Sequence, residues 1–149
     1  MIGLTRTISI RTASEEDLSI IQTILKTQHL GYDDIGLHIN NFLVAVVDGR
    51  IAGTIGMEYY GTTGLLRSAA VASDFQNQGI GEKLVSAIEA SAMEHGVREI
   101  VLLTTTAETY FVRKGFVRIT RGEISGEVLG SSQFAGACPS TAASMRKKI

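Results

Sequence analysis

Apolar positions follow three rhythms along the chain, and each rhythm predicts an element. Ile8 and Ile10 alternate with polar neighbours and predict a first strand. Ser14-Glu15-Glu16-Asp17 supplies an N-cap hydroxyl followed by acids in a first turn, so a helix is expected to run to Thr27 with Leu18, Ile21, Ile24 and Leu25 as its core face. Residues 28–41 are punctuated by Gly31 and Gly36 and hold His29, Tyr32 and His38; they predict a mobile loop or short helix of the kind that shapes pockets. Continuous apolar runs come next. Residues 42–47 and 50–60 flank Asp48-Gly49, a two-residue turn that needs positive φ, which predicts a hairpin. After Gly61-Thr62-Thr63-Gly64, residues 65–71 predict a third strand.

At Ile80 the period changes from strand to helix. Ile80, Leu84 and Ile88, with Val85 and Ala92, fall on one helical face, and Gly96 stands where a C-cap glycine would end it. Residues 99–104 predict a buried strand, 107–114 a short helix stopped at Gly115, and 117–119 a further strand. From residue 122 the chain reads as loop-rich until a last strand at 143–147. A strand, a long helix and a strand imply a right-handed crossover, with a ligand slot between parallel strands at the middle of the sheet. The expected class is α/β (α+β): one domain over residues 1–149, a central mixed sheet flanked by helices.

Charge and composition narrow the partners. A net charge of -1 with 19% charged residues gives no basic field for nucleic acid, so partners should be small or weakly charged. The single cysteine, Cys138, cannot form an internal disulfide, and without a nearby His or cation it reads as packing rather than nucleophile. The start MIGLTRTISI lacks a secretory pattern, and the apolar run 42–47 is too short to cross a bilayer. The expected setting is soluble, reducing and cytoplasmic, with no membrane partner. His29 and His38 lack a second ligand at metal spacing, so no metal is expected.

The candidate chemistry sits between the strand at 65–71 and the long helix, at Gln76-Asn77-Gln78-Gly79-Ile80-Gly81. Glycines at a strand-to-helix junction let backbone approach a ligand, and the free N–H groups of a first helical turn suit a pyrophosphate. A plain tight turn is the alternative. The loop has neither the Lys-Ser/Thr of a P-loop nor the three-glycine spacing of a dinucleotide fingerprint.

Gln-x-x-Gly-x-Gly after a strand ending Ala70-Val71 resembles the acetyl-CoA-binding motif of the GNAT (Gcn5-related) N-acetyltransferases. Tyr110-Phe111-Val112-Arg113-Lys114-Gly115-Phe116 resembles their closing helix and Gly-Phe turn, and the resemblance covers residues 8–119. LLRSAAV, LLTTTAETYF and the tail QFAGACPSTAASMRK are similar to small amino-acid N-acetyltransferases related to N-acetylglutamate synthase, including the arsenic-resistance N-acetyltransferases. The resemblance implies acetyl-CoA as cosubstrate, held by Ala70, Val71, Gln76, Gln78, Gly79, Ile80, Gly81, Thr106 and Phe111. It implies a small amino acid, or an arsinic or phosphinic analogue, as the amine acceptor, near Arg67, Ser68, Thr104 and Tyr32. A homodimer is left open.

Acetyl transfer to an amine needs a route for the ammonium proton, a donor for the oxyanion and a proton for the thiolate. Glu58, at the end of an otherwise apolar strand, is a candidate base if it faces a cleft, with an ordinary polar strand end as the alternative. By resemblance the Val71 N–H is the oxyanion donor, and the Ala70-Val71 backbone pairs with the pantetheine arm. The family usually carries its acid, a tyrosine, four residues before the Gly of the Gly-Phe turn. Here that position is Phe111 and the tyrosine is Tyr110, so Tyr110, Thr106 with a water, and unassisted thiolate departure all stay open. Arg67, mid-strand in an apolar run, needs a partner: either a structural ion pair or the carboxylate of the acceptor. Three other functions remain: a non-catalytic acyl-CoA sensor, favoured by Phe111; a nucleotide-binding regulatory module; and an acetyltransferase for a protein N-terminus or another amine.

Overall fold

The structure is a computed structural model that describes residues 7–124, 126–137 and 141–149. Its seven strands are β1 (Ile8–Thr12), β2 (Phe42–Val47), β3 (Arg50–Tyr60), β4 (Thr63–Val71), β5 (Glu99–Thr104), β6 (Val117–Ile119) and β7 (Ala143–Lys148). They are hydrogen-bonded in the order β1-β2-β3-β4-β5-β7-β6. The helices are α1 (Leu18–Thr27), α2 (Ile35–His38), α3 (Ile80–Glu94) and α4 (Glu108–Arg113). β4 and β5 are parallel while β5 and β7 are antiparallel, so the sheet is mixed and the class is α+β, as the hydrophobic pattern predicts. Cys138 lies outside the described residues. No helix among the described residues is long and apolar enough to cross a membrane.

Packing divides the chain into two compact units, Met1–Gly56 with Ser68–Ala90, and Met57–Arg67 with Ser91–Ile149. In the first, Asp48 (φ 50°) and Gly49 (φ 77°) form the predicted two-residue turn, and β2 pairs with β3 from Phe42↔Gly56 to Val47↔Arg50. Two successive left-handed residues match the twist of the strands they join. Phe42 and Val44 pack with Ala13, Ile21, Leu25, Ile35 and Ile39 in one cluster. Of the mobile loop or short helix expected at 28–41, the structure forms the short helix, α2, which brings in Ile35 and Ile39. α2 and the turn after it set these residues four apart, on one helical face, and bury both. The predicted face of α3 is buried at Ile80, Leu84, Val85, Ile88 and Ala92. Its close approach depends on Gly53, where a Cβ would stand 2.9 Å from the Ala70 carbonyl oxygen and 3.1 Å from Leu84.

In the second unit, β4 opens two residues earlier than predicted, because the turn from β3 needs only Gly61 (φ 62°) and Thr62. The Thr62 carbonyl accepts the Arg98 N–H at 2.7 Å, tying this turn to the start of β5. β4 pairs with β5 at Thr63↔Glu99, Gly64↔Ile100 and Leu65↔Val101, whereas both strands run on beyond that ladder. The stretch predicted as loop-rich forms three helical turns at Arg121–Glu123, Glu127–Gly130 and Gln133–Ala137. Ile124 and Val128 bury against Leu65 and Val101, with Tyr60, Ile119 and Phe134 packed beside them. Three apolar residues spread over eleven positions are too sparse to mark a strand or a helix, which is why the pattern missed this cover.

A short turn, Glu15–Asp17, precedes α1 with Ser14 at its N-cap and acids in its first turn, as predicted, and Asp17 closes a capping box: its Oδ2 accepts the Ser14 N–H at 2.8 Å. The Arg11 guanidinium of β1 grips the same carboxylate at 2.8 and 3.0 Å. The Arg11 bonds outweigh burial and lower the Asp17 pKa to about 2. A depressed carboxylate stabilises the fold above its unfolded value, and that contribution is lost as pH falls through the folded one. Asp17→Asn should therefore lower stability at pH 7 by about 1–2 kcal/mol. The difference from the parent should shrink between pH 4 and pH 2, which paired thermal melts would measure.

Candidate active site

A buried ion pair occupies the second unit. Glu58, near the end of β3, is 2% exposed and Arg67, on β4, is 3% exposed, with Arg67 Nη1 donating to Glu58 Oε2 at 2.7 Å. The Tyr60 hydroxyl donates to the other carboxylate oxygen, Oε1. Alternation puts Glu58 and Tyr60 on one face of β3, and Leu65 and Arg67 on one face of β4. Leu65 and Tyr60 both join the cluster under the 121–137 turns, so the charges lie on the sheet face that this segment covers. Glu58 is thus neither an ordinary solvated strand end nor an open carboxylate: paired and hydrogen-bonded, it is accommodated inside the fold. Arg67 has the structural partner that its apolar surroundings demand. Tyr60 went unnoticed in the sequence, although its parity with Glu58 was the available signal.

β4 changes character after Arg67. Ser68 holds φ 58° inside a strand, a left-handed geometry that serine adopts at a cost of roughly 1–3 kcal/mol. Gly64, Leu65, Leu66 and Arg67 are buried, while Ser68, Ala69, Ala70 and Val71 are only half-buried. Small residues thus line the end of the strand, only partly covered.

The loop after β4 belongs to the first unit. Phe75 buries, and the Arg50 guanidinium lies 5.1 Å over its ring, anchoring the turn Ser73–Phe75. The Gln76 side chain donates to the Val71 carbonyl at 3.1 Å, bending the loop back onto the strand that precedes it. Asn77 (φ 64°) and Gly79 (φ 80°) are both left-handed, and Gln76, Asn77, Gln78 and Gly79 are exposed. A side chain at Gly79 would meet no atom within 4 Å, so the constraint there is conformational. Ile80 is buried as the first residue of α3, with Gly81 following, and the N–H groups of that first turn have no carbonyl four residues back in the helix. Left-handed residues before a helix start aim successive N–H groups outward and make an anion-binding concavity.

The remaining predicted residues separate. Phe111 is buried and meets Phe116 edge-on at 5.5 Å, so it serves the core of the second unit. Tyr110 is half-buried, edge-on to Phe111 at 5.2 Å, with Lys114 Nζ 5.4 Å from its ring centre. Thr106 is exposed. The Thr104 hydroxyl accepts the Ala107 N–H at 2.9 Å and thereby starts the turn into α4. In the first unit Tyr32 packs on the α1–β2 cluster, and its carbonyl accepts the Gln22 side chain at 3.2 Å. Ser144 was not anticipated. It is buried on β7 opposite Leu103, and its hydroxyl has no hydrogen-bond partner among the described residues. Its signal was a serine inside the small apolar run Ala142-Ala143-Ser144-Met145.

Comparison with known proteins places these features in a family. The "Acetyltransferase (GNAT) domain" family matches residues 38–118, more than half of the chain, and the chain belongs to that family. It is 38% identical over 86 residues to an uncharacterized N-acetyltransferase of Chlorobaculum tepidum, covering 56% of this chain and 54% of that protein. It is also 38% identical over 84 residues to an amino-acid acetyltransferase of Ralstonia nicotianae, covering 55% of this chain and 19% of that protein. The chain therefore matches about half the length of the first relative and about a fifth of the second. The fold superposes on N-acetylglutamate synthase from Neisseria gonorrhoeae, a structure complexed with coenzyme A and N-acetyl-glutamate. The TM-score is 0.84 at 22% identity, covering 96% of this chain and 35% of that one.

The ion pair makes a prediction of its own. Glu58→Gln leaves a buried guanidinium facing a neutral amide, and breaking a buried pair from one side costs about 3–5 kcal/mol. The melting temperature should fall by roughly 10 °C. Replacing both partners, Glu58→Gln with Arg67→Met, should recover most of that loss. A single variant that melts with the parent would show that the pair contributes nothing to the fold.

Proposed function

We propose that this chain is an acetyl-CoA-dependent N-acetyltransferase whose acceptor is the primary amine of a small amino acid or amino-acid analogue. The observation that carries the reading is the loop of residues 76–81. Left-handed Asn77 and Gly79 precede the start of α3, and the Gln76 amide is bound to the Val71 carbonyl. Family membership and the half-buried end of β4 support it. The loop fits a pyrophosphate by its outward N–H groups and its lack of bulky side chains at Gly79 and Gly81. Ala70 and Val71 offer backbone to an extended pantetheine arm, in the manner of an added strand.

The cosubstrate supplies an acyl carbon activated as a thioester; the chain's residues hold, orient and move protons. Val71 N–H is the proposed donor to the oxyanion that forms as the amine adds to that carbon. Glu58 is the proposed acceptor of the ammonium proton, directly or through a water, while it keeps Arg67 in place. Arg67 is the proposed anchor for the acceptor's carboxylate, arsinate or phosphinate. As the C–S bond breaks, the thiolate takes its proton from Tyr110, from Thr106 through water, or from solvent. Phe111, packed on Phe116 where the family usually has its tyrosine, favours a second reading in which the domain binds an acyl-CoA without turnover.

Two measurements test these readings. Acetyl-CoA at a hundred times its Kd should stabilise the parent by about 2.7 kcal/mol. Gly79→Val and Gly81→Val should lose that stabilisation, because a branched side chain strains the left-handed position at 79 and blocks backbone approach at 81. A thiol-release screen of free amino acids and their phosphinic and arsinic analogues then separates an enzyme from a sensor. In that screen Arg67→Lys, which keeps the charge beside Glu58 but loses the planar fork, should raise the acceptor KM at least tenfold and leave acetyl-CoA binding intact. A lowered melting point with an unchanged acceptor KM would confine Arg67 to the fold.

A further inference from the structure

The Glu58 carboxylate is held from two sides, by Arg67 at Oε2 and by the Tyr60 hydroxyl at Oε1. Tyr60 stands two residues along β3 on the same face, half-buried, with its ring against the Leu65, Val101, Ile124 and Val128 cluster. A phenylalanine would fill the same apolar contact. What the tyrosine adds is one directional bond aimed at the carboxylate that binds Arg67.

A carboxylate gripped at one oxygen still turns about its own side-chain bonds, and the guanidinium it holds turns with it. A second donor at the other oxygen fixes the carboxylate plane. The planar Arg67 fork, which donates through Nη1 at 2.7 Å, then meets a carboxylate bonded at both of its oxygens. Orientation is what separates an arginine that recognises an acid from one that only balances charge. A fork discriminates a planar two-oxygen anion from a neutral amide only when its nitrogens are held where both oxygens can reach them.

We propose that Tyr60 is a positioning residue for acceptor recognition: acting through Glu58, it fixes the plane of the Arg67 guanidinium so that the site prefers an amine acceptor carrying a carboxylate over the corresponding carboxamide. This inference rests on the reading of Arg67 as the acceptor anchor. Tyr60 touches neither acceptor nor cosubstrate in this role. It sets selectivity while contributing little to the acyl-transfer step.

The test uses the full chain and a matched pair of acceptors: the free amino acid with the highest turnover in a panel of the twenty common ones, and its α-carboxamide. Tyr60→Phe should reduce the acid-to-amide ratio of kcat/KM by about tenfold, the effect of losing one charge-assisted hydrogen bond, with most of the change in the KM for the acid. In Arg67→Lys, where no fork remains to be oriented, adding Tyr60→Phe should leave the ratio unchanged; an independent effect would multiply. A merely structural tyrosine predicts that both acceptors lose activity equally, in step with the melting temperature. An unchanged ratio in Tyr60→Phe, or multiplicative effects in the double variant, overturns the proposal for Tyr60 alone. An Arg67→Lys protein with the parent's acceptor KM, or a panel in which no amino acid turns over, overturns the anchoring role on which it rests.

Discussion

The Glu58–Arg67 pair constrains the second unit more tightly than any of its apolar contacts. Two charges on neighbouring strands, each at most 3% exposed, are tolerable only while they face each other. Sheet periodicity turns that demand into a statement about register. A slip of one residue between β3 and β4 would put one of them on the opposite face and leave a bare charge in the interior. Apolar residues would tolerate the slip better, because Met57, Leu65 and Leu66 are buried on either side of these strands. The pair thus specifies what the hydrophobic pattern leaves ambiguous. The two-residue turn at Gly61-Thr62, tied to Arg98 through the Thr62 carbonyl, holds the hairpin in the register that brings the charges together.

The same strand carries both kinds of demand, and Ser68 divides them. Up to Arg67, β4 is a core strand, buried on both faces and paired with β5 at its first three residues. From Ser68 on it is half-buried and lined by alanine and valine. A non-glycine residue at φ 58° costs free energy that regular strand geometry would avoid, and such strain persists where surrounding structure fixes it. Here the fixing contacts lie on either side in sequence: the buried Arg67 before it, and after it the Ala70 carbonyl, packed so close to Gly53 that no Cβ fits between.

Elements with a long period were legible in the sequence. The α3 face, the Asp48-Gly49 turn and the strands they join follow directly from where apolar residues and positive-φ residues fall. What periodicity could not show were features set by single contacts. Asp17 stands at capping-box spacing from Ser14, but nothing local announces that Arg11 of β1 also reaches its carboxylate. The short helix expected as one option within 28–41 gives no sign in the sequence that Ile35 and Ile39 are core residues until α2 and the turn after it set them on one face. Ile124, Val128 and Phe134 are too sparse to mark an element, yet together they cover the second cluster.

The candidate site shows the same limit, with one instructive exception. Glu58 and Arg67 are each conspicuous as a charge in an apolar run, and periodicity within either strand does not pair them. Counting outward from a two-residue turn at Gly61-Thr62 sets Tyr60 opposite Thr63 and Glu58 opposite Leu65, with Arg67 a diagonal step away on the same face. Their partnership was therefore available from parity once the turn was placed, and placing a four-residue connection there instead leaves that parity unchanged. Tyr60 follows from the same count. Phe111 is different, since no count foretells that its ring is buried edge-on against Phe116.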